Sequence, residues 1–244
     1  MKRDKQTLMK TRKTFWRNLT RIHKWAGFVL GIQIILWFAS GFFMSFSNID
    51  KVHGDFVALK QTFPVSAEQL IPVEEAARMY GDDPLKTATL RSVIDAPVWV
   101  LNGDAGIQYI DARTGKDWAG INADQVRSVA AIYYIGKGQV ETLAKLDVAP
   151  LDYRGAVPVW QVKYDDKERT RLYISPMSGD LLKTRTRLWR IFDFMWMLHI
   201  MDYDDRDDIN NWWLVLLSFF ALLFALSGAA LVVHRVFLRP KRKT

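Results

Sequence analysis

Residues 212–233 read WWLVLLSFFALLFALSGAALVV and residues 25–46 read WAGFVLGIQIILWFASGFFMSF, and these two stretches decide the fold. Neither stretch contains an Asp, Glu, Lys or Arg. A helix of this length covers a hydrocarbon core of about 30 Å, where only a helix satisfies its own backbone hydrogen bonds. The sequence therefore predicts two transmembrane helices. A cleaved signal peptide would have a shorter apolar core followed by a small-residue cleavage site, and the first stretch meets neither condition.

Positive charge is concentrated in the two tails. Residues 1–24 carry nine Lys or Arg and one acid, and residues 234–244 carry five Lys or Arg and no acid, which sums to +13. Because the whole chain is +8, residues 25–233 sum to −5. The positive-inside rule places both tails in the cytoplasm and the middle outside, in the periplasm if the membrane is a bacterial inner membrane. We interpret the basic tails as contacts to anionic lipid and expect no nucleic-acid partner.

Cysteine is absent from the chain. Its absence excludes disulfides, thiol catalysis, thiolate metal sites, iron–sulfur clusters and covalently attached c-type haem. The sequence also has no nucleophilic triad, phosphate-binding glycine loop or dinucleotide fingerprint. We therefore expect neither a hydrolase nor a nicotinamide-binding enzyme, and no catalytic residue is assigned.

The segment between the spans contains two related stretches. Residues 97–116 read PVWVLNGDAGIQYIDARTGK, and residues 158–180 read PVWQVKYDDKERTRLYISPMSGD. In each, two runs rich in β-branched and aromatic residues flank a polar turn, which predicts a β-hairpin. A helix is predicted before each hairpin, because apolar residues at helical spacing stop shortly before a glycine. These residues are Val73, Ala76, Ala77 and Tyr80 before Gly81, and Val126, Val129, Ala130 and Tyr133 before Gly136.

Helix followed by antiparallel strands, used twice, predicts a membrane α+β fold with a duplicated extracytoplasmic domain at 60–185. Its repeats cover about 66–120 and 121–183. Ser66 and Gln69 have the form of a capping box before the first helix. Four large aromatic residues are predicted to belong to the core and not to a ligand site: Trp99, Tyr109, Trp160 and Tyr173.

Residues 187–211 connect this domain to the second span. Their first part, Leu188 to Ile200, is rich in aromatic residues and Met and predicts a helix at the outer interface. Five Asp follow at 202–208. Carboxylates are hard ligands, so Asp202, Asp204 and Asp205 are candidate contacts for a ferric ion or another cation. The alternative is an acidic turn that ends in a cap of the second span, provided by Asp208, Asn210 or Asn211.

The second stretch, extended to PVWQVKYDDKERTRLYISPMSGDLL, resembles the PepSY domain, and the first resembles a more degenerate PepSY unit. RIHKWAGFVLGIQIILWFASG is similar to the opening helix of PepSY-associated transmembrane proteins. SGAALVVHR, followed by basic residues, is similar to their closing helix. The resemblance covers residues 20–60 and 66–238.

The resemblance implies a link to iron uptake, since some members are similar to four-helix cytochromes that hold haem b and pass electrons to extracytoplasmic ferric siderophores. A first hypothesis is a haem b-binding electron-transfer subunit of a ferric reductase type system, supplied by a cytoplasmic flavoprotein. PepSY domains elsewhere accompany peptidases. The alternative is therefore a non-enzymatic binding or regulatory module for a peptide, a protease or a subunit of a complex.

The four histidines are the candidate haem ligands. His23 precedes the first span and His234 follows the second, so they form a candidate pair at the cytoplasmic face, while His53 and His199 form a candidate outer pair. Both inner histidines continue small-residue faces: His23, Gly27 and Gly31, and Ser227, Ala230 and His234. Because two helices cannot enclose a haem, a homodimer or a partner membrane subunit is required. The alternative is that these histidines are hydrated interface residues and that the small faces serve helix packing.

Overall fold

The computed structural model describes residues 2–64 and 69–238, with side chains from residue 10 to residue 237 within those ranges. The chain divides into two compact units. We call residues 1–47 and 192–244 the membrane unit, and residues 48–191 the α+β unit. The capping box expected at Ser66 lies outside the described residues.

The membrane unit is built on two long apolar helices, α1 (Lys2–Phe46) and α6 (Trp212–Val233). A π-helical segment, His234–Leu238, continues α6. Both helices are long and apolar enough to cross a membrane, which agrees with the two predicted spans. The basic N-terminal tail is helical from Lys2 onward, so α1 begins well before the predicted span.

Helices α1 and α6 pack closely at Gly27, where the Phe224 ring of α6 approaches α1. A Cβ atom added to Gly27 would lie 3.1 Å from the Phe224 ring, whereas one added to Gly31 would meet nothing within 4 Å. The glycine face of α1 therefore admits a close contact with α6 at Gly27, and Gly31 on the same face lies beside open space among the described residues.

Helix α5 (Arg187–Ile200) confirms the helix predicted before the acidic turn. Its Asp193 carboxylate forms a buried ion pair with Arg206, and the Trp196 indole donates to the Arg206 carbonyl at 3.0 Å. Asn211 accepts a hydrogen bond from the Leu214 N–H at 2.9 Å and is the N-cap of α6, as one alternative predicted. These contacts fix the turn between α5 and α6.

The α+β unit contains two antiparallel sheets, in the orders β1-β2-β3 and β4-β5-β6-β7. Each sheet follows a helix, α3 or α4, and a short helix α2 opens the unit. The helices are α2 (Ile49–His53), α3 (Val73–Met79) and α4 (Ala123–Tyr133). The strands are β1 (Leu85–Val93), β2 (Ala96–Gly103), β3 (Gly106–Asp111), β4 (Val140–Leu146), β5 (Val159–Tyr164), β6 (Arg171–Ile174) and β7 (Leu181–Arg185).

Both predicted hairpins and both predicted helices are present, so the membrane α+β prediction is confirmed. The hairpins are β2–β3 and β5–β6. Strands β1, β4 and β7 were not predicted, and the second sheet has one strand more than the first. Each half contains a helix followed by antiparallel strands, but a duplication stays a prediction.

The main core forms where α4 packs on the second sheet. Val126, Val129, Ala130 and Tyr133 are the buried face of α4, at the spacing of one helical stripe. A capping box between Asn122 and Gln125, which was not predicted, starts this helix. Apolar residues of both sheets complete the cluster: Val93, Val98, Val162, Leu172, Ile174 and Leu181.

The four aromatic residues predicted as core all pack against buried clusters, though to different extents. Tyr173 is fully buried. Trp99, Tyr109 and Trp160 are half-buried at the edges of their clusters. Their rings serve packing, as predicted.

Tyrosines whose hydroxyl groups are wholly or partly buried make the α+β unit sensitive to alkaline pH. Burial raises the pKa of Tyr133 and Tyr134 to about 12, and burial raises the pKa of Tyr164 and Tyr173 further. Because an unfolded tyrosine ionises near pH 10, their contribution to stability is complete below pH 10. It is lost as the pH rises from about 10 through 12.

We expect the melting temperature to stay constant up to about pH 10 and to fall steeply above it. Circular dichroism measures the melting temperature, and tyrosinate absorbance measures the ionisation of the tyrosines. Tyr133→Phe should make this fall shallower by removing one buried phenol. Tyr203→Phe is the matched control, because Tyr203 is exposed. A fall that is equally steep in both variants would contradict the expectation.

Candidate functional site

His23 of α1 is held against α6 inside the membrane unit. Its Nδ1 atom lies 2.7 Å from the Ser227 hydroxyl oxygen. Its ring stacks on Phe224 at a centroid distance of 4.3 Å and an interplanar angle of 4°. A Cβ atom added to Gly228 would lie 3.0 Å from His23 Cε1, so the glycine provides the space that the imidazole fills.

His199 of α5 makes the same kind of contact with α1. Its Nδ1 atom lies 3.1 Å from the hydroxyl oxygen of Ser40, which is fully buried. A Cβ atom added to Gly41 would lie 3.2 Å from His199 Cε1. Two histidines thus each face a Ser-Gly dipeptide of an apolar helix.

The serine hydroxyls determine which nitrogen of each histidine carries the proton. Ser227 donates its hydroxyl hydrogen to the Phe224 carbonyl at 2.7 Å, and Ser40 donates to the Leu36 carbonyl at 2.6 Å. Each serine oxygen is then left as an acceptor, so Nδ1 of the histidine must be the donor. In its neutral form each imidazole is then the Nδ1–H tautomer, whose Nε2 atom keeps a lone pair.

The Nε2 atoms are the chemically open positions of this arrangement. Neither forms a hydrogen bond with any residue whose side chain the structure describes, and both side chains are half-buried. An imidazole with Nδ1–H bonded to an oxygen and Nε2 open is oriented as histidine ligands of metals are.

The predicted inner pair does not converge within one chain. His234 stacks on Trp16 at a centroid distance of 3.9 Å, whereas His23 contacts Ser227. Trp16 and His23 are seven residues apart on α1, and Ser227 and His234 are seven apart on α6. The two imidazoles therefore lie about 10 Å apart along the helices. One iron cannot bind both of them in the same chain.

The predicted outer pair is divided between the two units. His199 is engaged with Ser40 in the membrane unit. His53 is exposed at the end of α2 in the α+β unit. The structure gives His53 no serine partner among its described contacts.

The acidic turn uses its first carboxylate locally. Asp202 accepts hydrogen bonds from the backbone N–H groups of Asp204, Asp207 and Asp208, at 3.3, 3.0 and 3.0 Å. These bonds, that of Asp208 foremost, lower the pKa of Asp202. Among the described residues no group of three or more His, Asp or Glu is arranged to hold a metal ion. Asp202, Asp204 and Asp205 therefore do not form such a group.

The chain has two helices able to span a membrane, and a unit with two antiparallel sheets lies between them in the sequence. These features define a membrane-anchored α+β protein. The chain belongs to the family described as the PepSY-associated TM region, which matches residues 20–244. The resemblance stated from the sequence is thereby confirmed. No curated protein and no solved structure matches the chain.

Haem b is implied by the family resemblance alone, and the two serine-bonded histidines, His23 and His199, are the residues that would hold it. Each offers an open Nε2 and a fixed ring, but the second imidazole must come from outside the chain. Gln33 Nε2 and Trp37 Nε1 of α1 lie between the two histidine levels, and both are buried without a hydrogen-bond partner among the described residues. A polar partner supplied from outside the chain would satisfy such atoms.

Sequence reasoning missed the four residues that contact the histidines: Ser40, Gly41, Ser227 and Gly228. Ser227 was identified only as part of a small-residue face. Their signal is visible in the sequence, because each apolar stretch contains one Ser-Gly dipeptide. Which histidine faces which dipeptide depends on the packing of the helices.

Proposed function

We propose that this chain is a haem b-binding membrane subunit that transfers electrons across a bacterial inner membrane, in a system that reduces ferric iron or ferric siderophores. His23 and His199 are the residues of each chain that would hold the haem iron. Haem b supplies one-electron transfer when bound. Both tails lie in the cytoplasm in this proposal, and a cytoplasmic flavoprotein supplies the electrons.

The observation that carries the proposal is the hydrogen-bonded state of the two histidines. Ser227 and Ser40 hold the Nδ1–H groups, and the open Nε2 atoms are the form in which imidazole binds iron. A histidine that only faced lipid headgroups would need no such fixed tautomer.

A symmetric homodimer completes both sites. A two-fold axis along the membrane normal would place His23 at the depth of His23 of the second copy, and His199 at the depth of His199, so that each pair would hold one haem. On α1, His23 and Ser40 are 17 residues apart, which is about 25 Å of helix. The two sites then lie near opposite faces of a hydrocarbon core of about 30 Å.

The absorption spectrum of the full chain, purified in detergent from cells with ample haem, tests this function. We expect a Soret band and a sharp α-band on reduction, as low-spin haem with two histidines gives. A colourless protein would contradict the proposal. It would favour the alternative of a binding or regulatory module, which needs no cofactor.

A further inference from the structure

A surface groove of about 540 Å³ runs along the edge of the second sheet in the α+β unit. All five residues of β7 line it. Neighbouring side chains of a strand point to opposite faces of the sheet, so a groove that contacts all five residues must follow the outer edge of β7. Its other lining residues belong to the segment after α1 and to the start of α5: His53, Asp55, Ala58, Leu59, Lys60 and Trp189.

Basic groups outnumber acidic groups in this lining. Lys60, Lys183 and Arg185 carry positive charge, and Asp55 is the single acid. Arg185 is held rigidly, because its Nε atom donates to the Asp152 carbonyl at 2.5 Å and its guanidinium lies 3.9 Å from the centre of the Trp189 ring. The groove is complementary to an anion.

Exposed apolar side chains lie beside this charge. Leu59 and Leu182 line the groove and remain 44% and 37% exposed. Ile49 and Phe56, on the same segment as His53 and Lys60, are 50% and 43% exposed. An anion with a purely polar body would leave these residues in water, so the lining favours an amphipathic ligand.

Chain connectivity identifies a source of such a ligand. The apolar helix α1 ends at Phe46, and α2 starts at Ile49 after two residues. Residues that follow a membrane span this closely lie at the level of the lipid headgroups. Basic and apolar side chains together at that level are the combination that attracts anionic phospholipids.

We propose that the groove binds the headgroup of an anionic phospholipid of the outer leaflet. Lys60 and Lys183 face the phosphate, and Leu59 and Leu182 contact the glycerol and the first acyl carbons. The groove includes neither His23 nor His199, and the proposal does not rest on the proposed redox function.

Native mass spectrometry of the full chain in detergent, with added phosphatidylglycerol or phosphatidylcholine of the same acyl chains, tests the proposal. We expect phosphatidylglycerol to bind preferentially, and Lys60→Glu with Lys183→Glu to weaken it by about tenfold. The milder pair Lys60→Gln with Lys183→Gln should give an intermediate loss, and it guards against misfolding of the charge-reversed variant.

The matched control is Lys116→Glu with Lys145→Glu, which makes the same charge change at exposed lysines outside the groove. It should bind phosphatidylglycerol as the parent chain does. Equal weakening in the control, or equal binding of both lipids by the parent, would overturn the proposal. The proposal would also be overturned if inorganic phosphate bound with the same dependence on Lys60 and Lys183 and phosphatidylglycerol failed to displace it.

Discussion

His23→Gly is expected to remove about half of the haem bound by the chain, and His199→Gly the other half. Each substitution deletes one imidazole whose Nδ1 atom is bonded to a serine oxygen and whose Nε2 atom has no described partner. The double variant should bind no haem. Haem content per polypeptide, measured after denaturation in alkaline pyridine, gives these fractions directly.

Rescue by imidazole distinguishes ligation from packing. The cavity left by His23→Gly should accept free imidazole and regain the haem spectrum, since the ligand is restored without the covalent link. His53→Gly and His234→Gly are the controls and should retain the haem content of the parent. Loss of haem in His234→Gly with retention in His23→Gly would show that the ligands are assigned to the wrong residues.

Asp152→Asn is expected to lower the free energy of unfolding by about 2 kcal/mol, because it removes a largely buried negative charge that faces two partly buried arginines. The Asp152 carboxylate, 11% exposed, lies 2.8 Å from Arg171 Nη1 and accepts from the Tyr173 hydroxyl at 2.6 Å. Arg190 Nη1 lies 3.9 Å away. Burial, followed by repulsion from Arg171, already lowers the pKa of Arg190. Without the carboxylate, two guanidinium groups remain partly buried and unneutralised.

Asp180→Asn provides the matched control for this substitution. It removes an aspartate that pairs with Arg91 at 2.9 Å, but the two side chains are 39% and 45% exposed. Exposed pairs contribute less than about 1 kcal/mol. Equilibrium unfolding in urea should therefore separate the two variants clearly. Equal effects would mean that burial of the Asp152 cluster does not determine its contribution.

Features of the fold that depend on local pattern were predictable from the sequence. The spans follow from uncharged stretches, and α4 follows from apolar residues at helical spacing. Strands β1 and β4 were missed because LKTATLRSV and VETLAKL contain residues that also favour helices. They become strands by pairing with β2 and β5, which is a tertiary effect.

The candidate site was only partly predictable, for the same reason. The sequence indicated His23 and His199 as ligand candidates but paired them with His234 and His53. The contacts that distinguish them join residues 204 and 159 positions apart in the chain. No local periodicity reports contacts over that separation. The level of each histidine becomes evident only when its serine partner on the neighbouring helix is known.

The number of haem groups per polypeptide in the purified full chain tests the central claim most directly. A dimer with one haem between the two His23 side chains and one between the two His199 side chains holds two haems in two chains. The account therefore predicts a ratio of one haem per polypeptide, with the spectrum of low-spin haem bound by two histidines. A protein that stays free of haem when haem is abundant would contradict it.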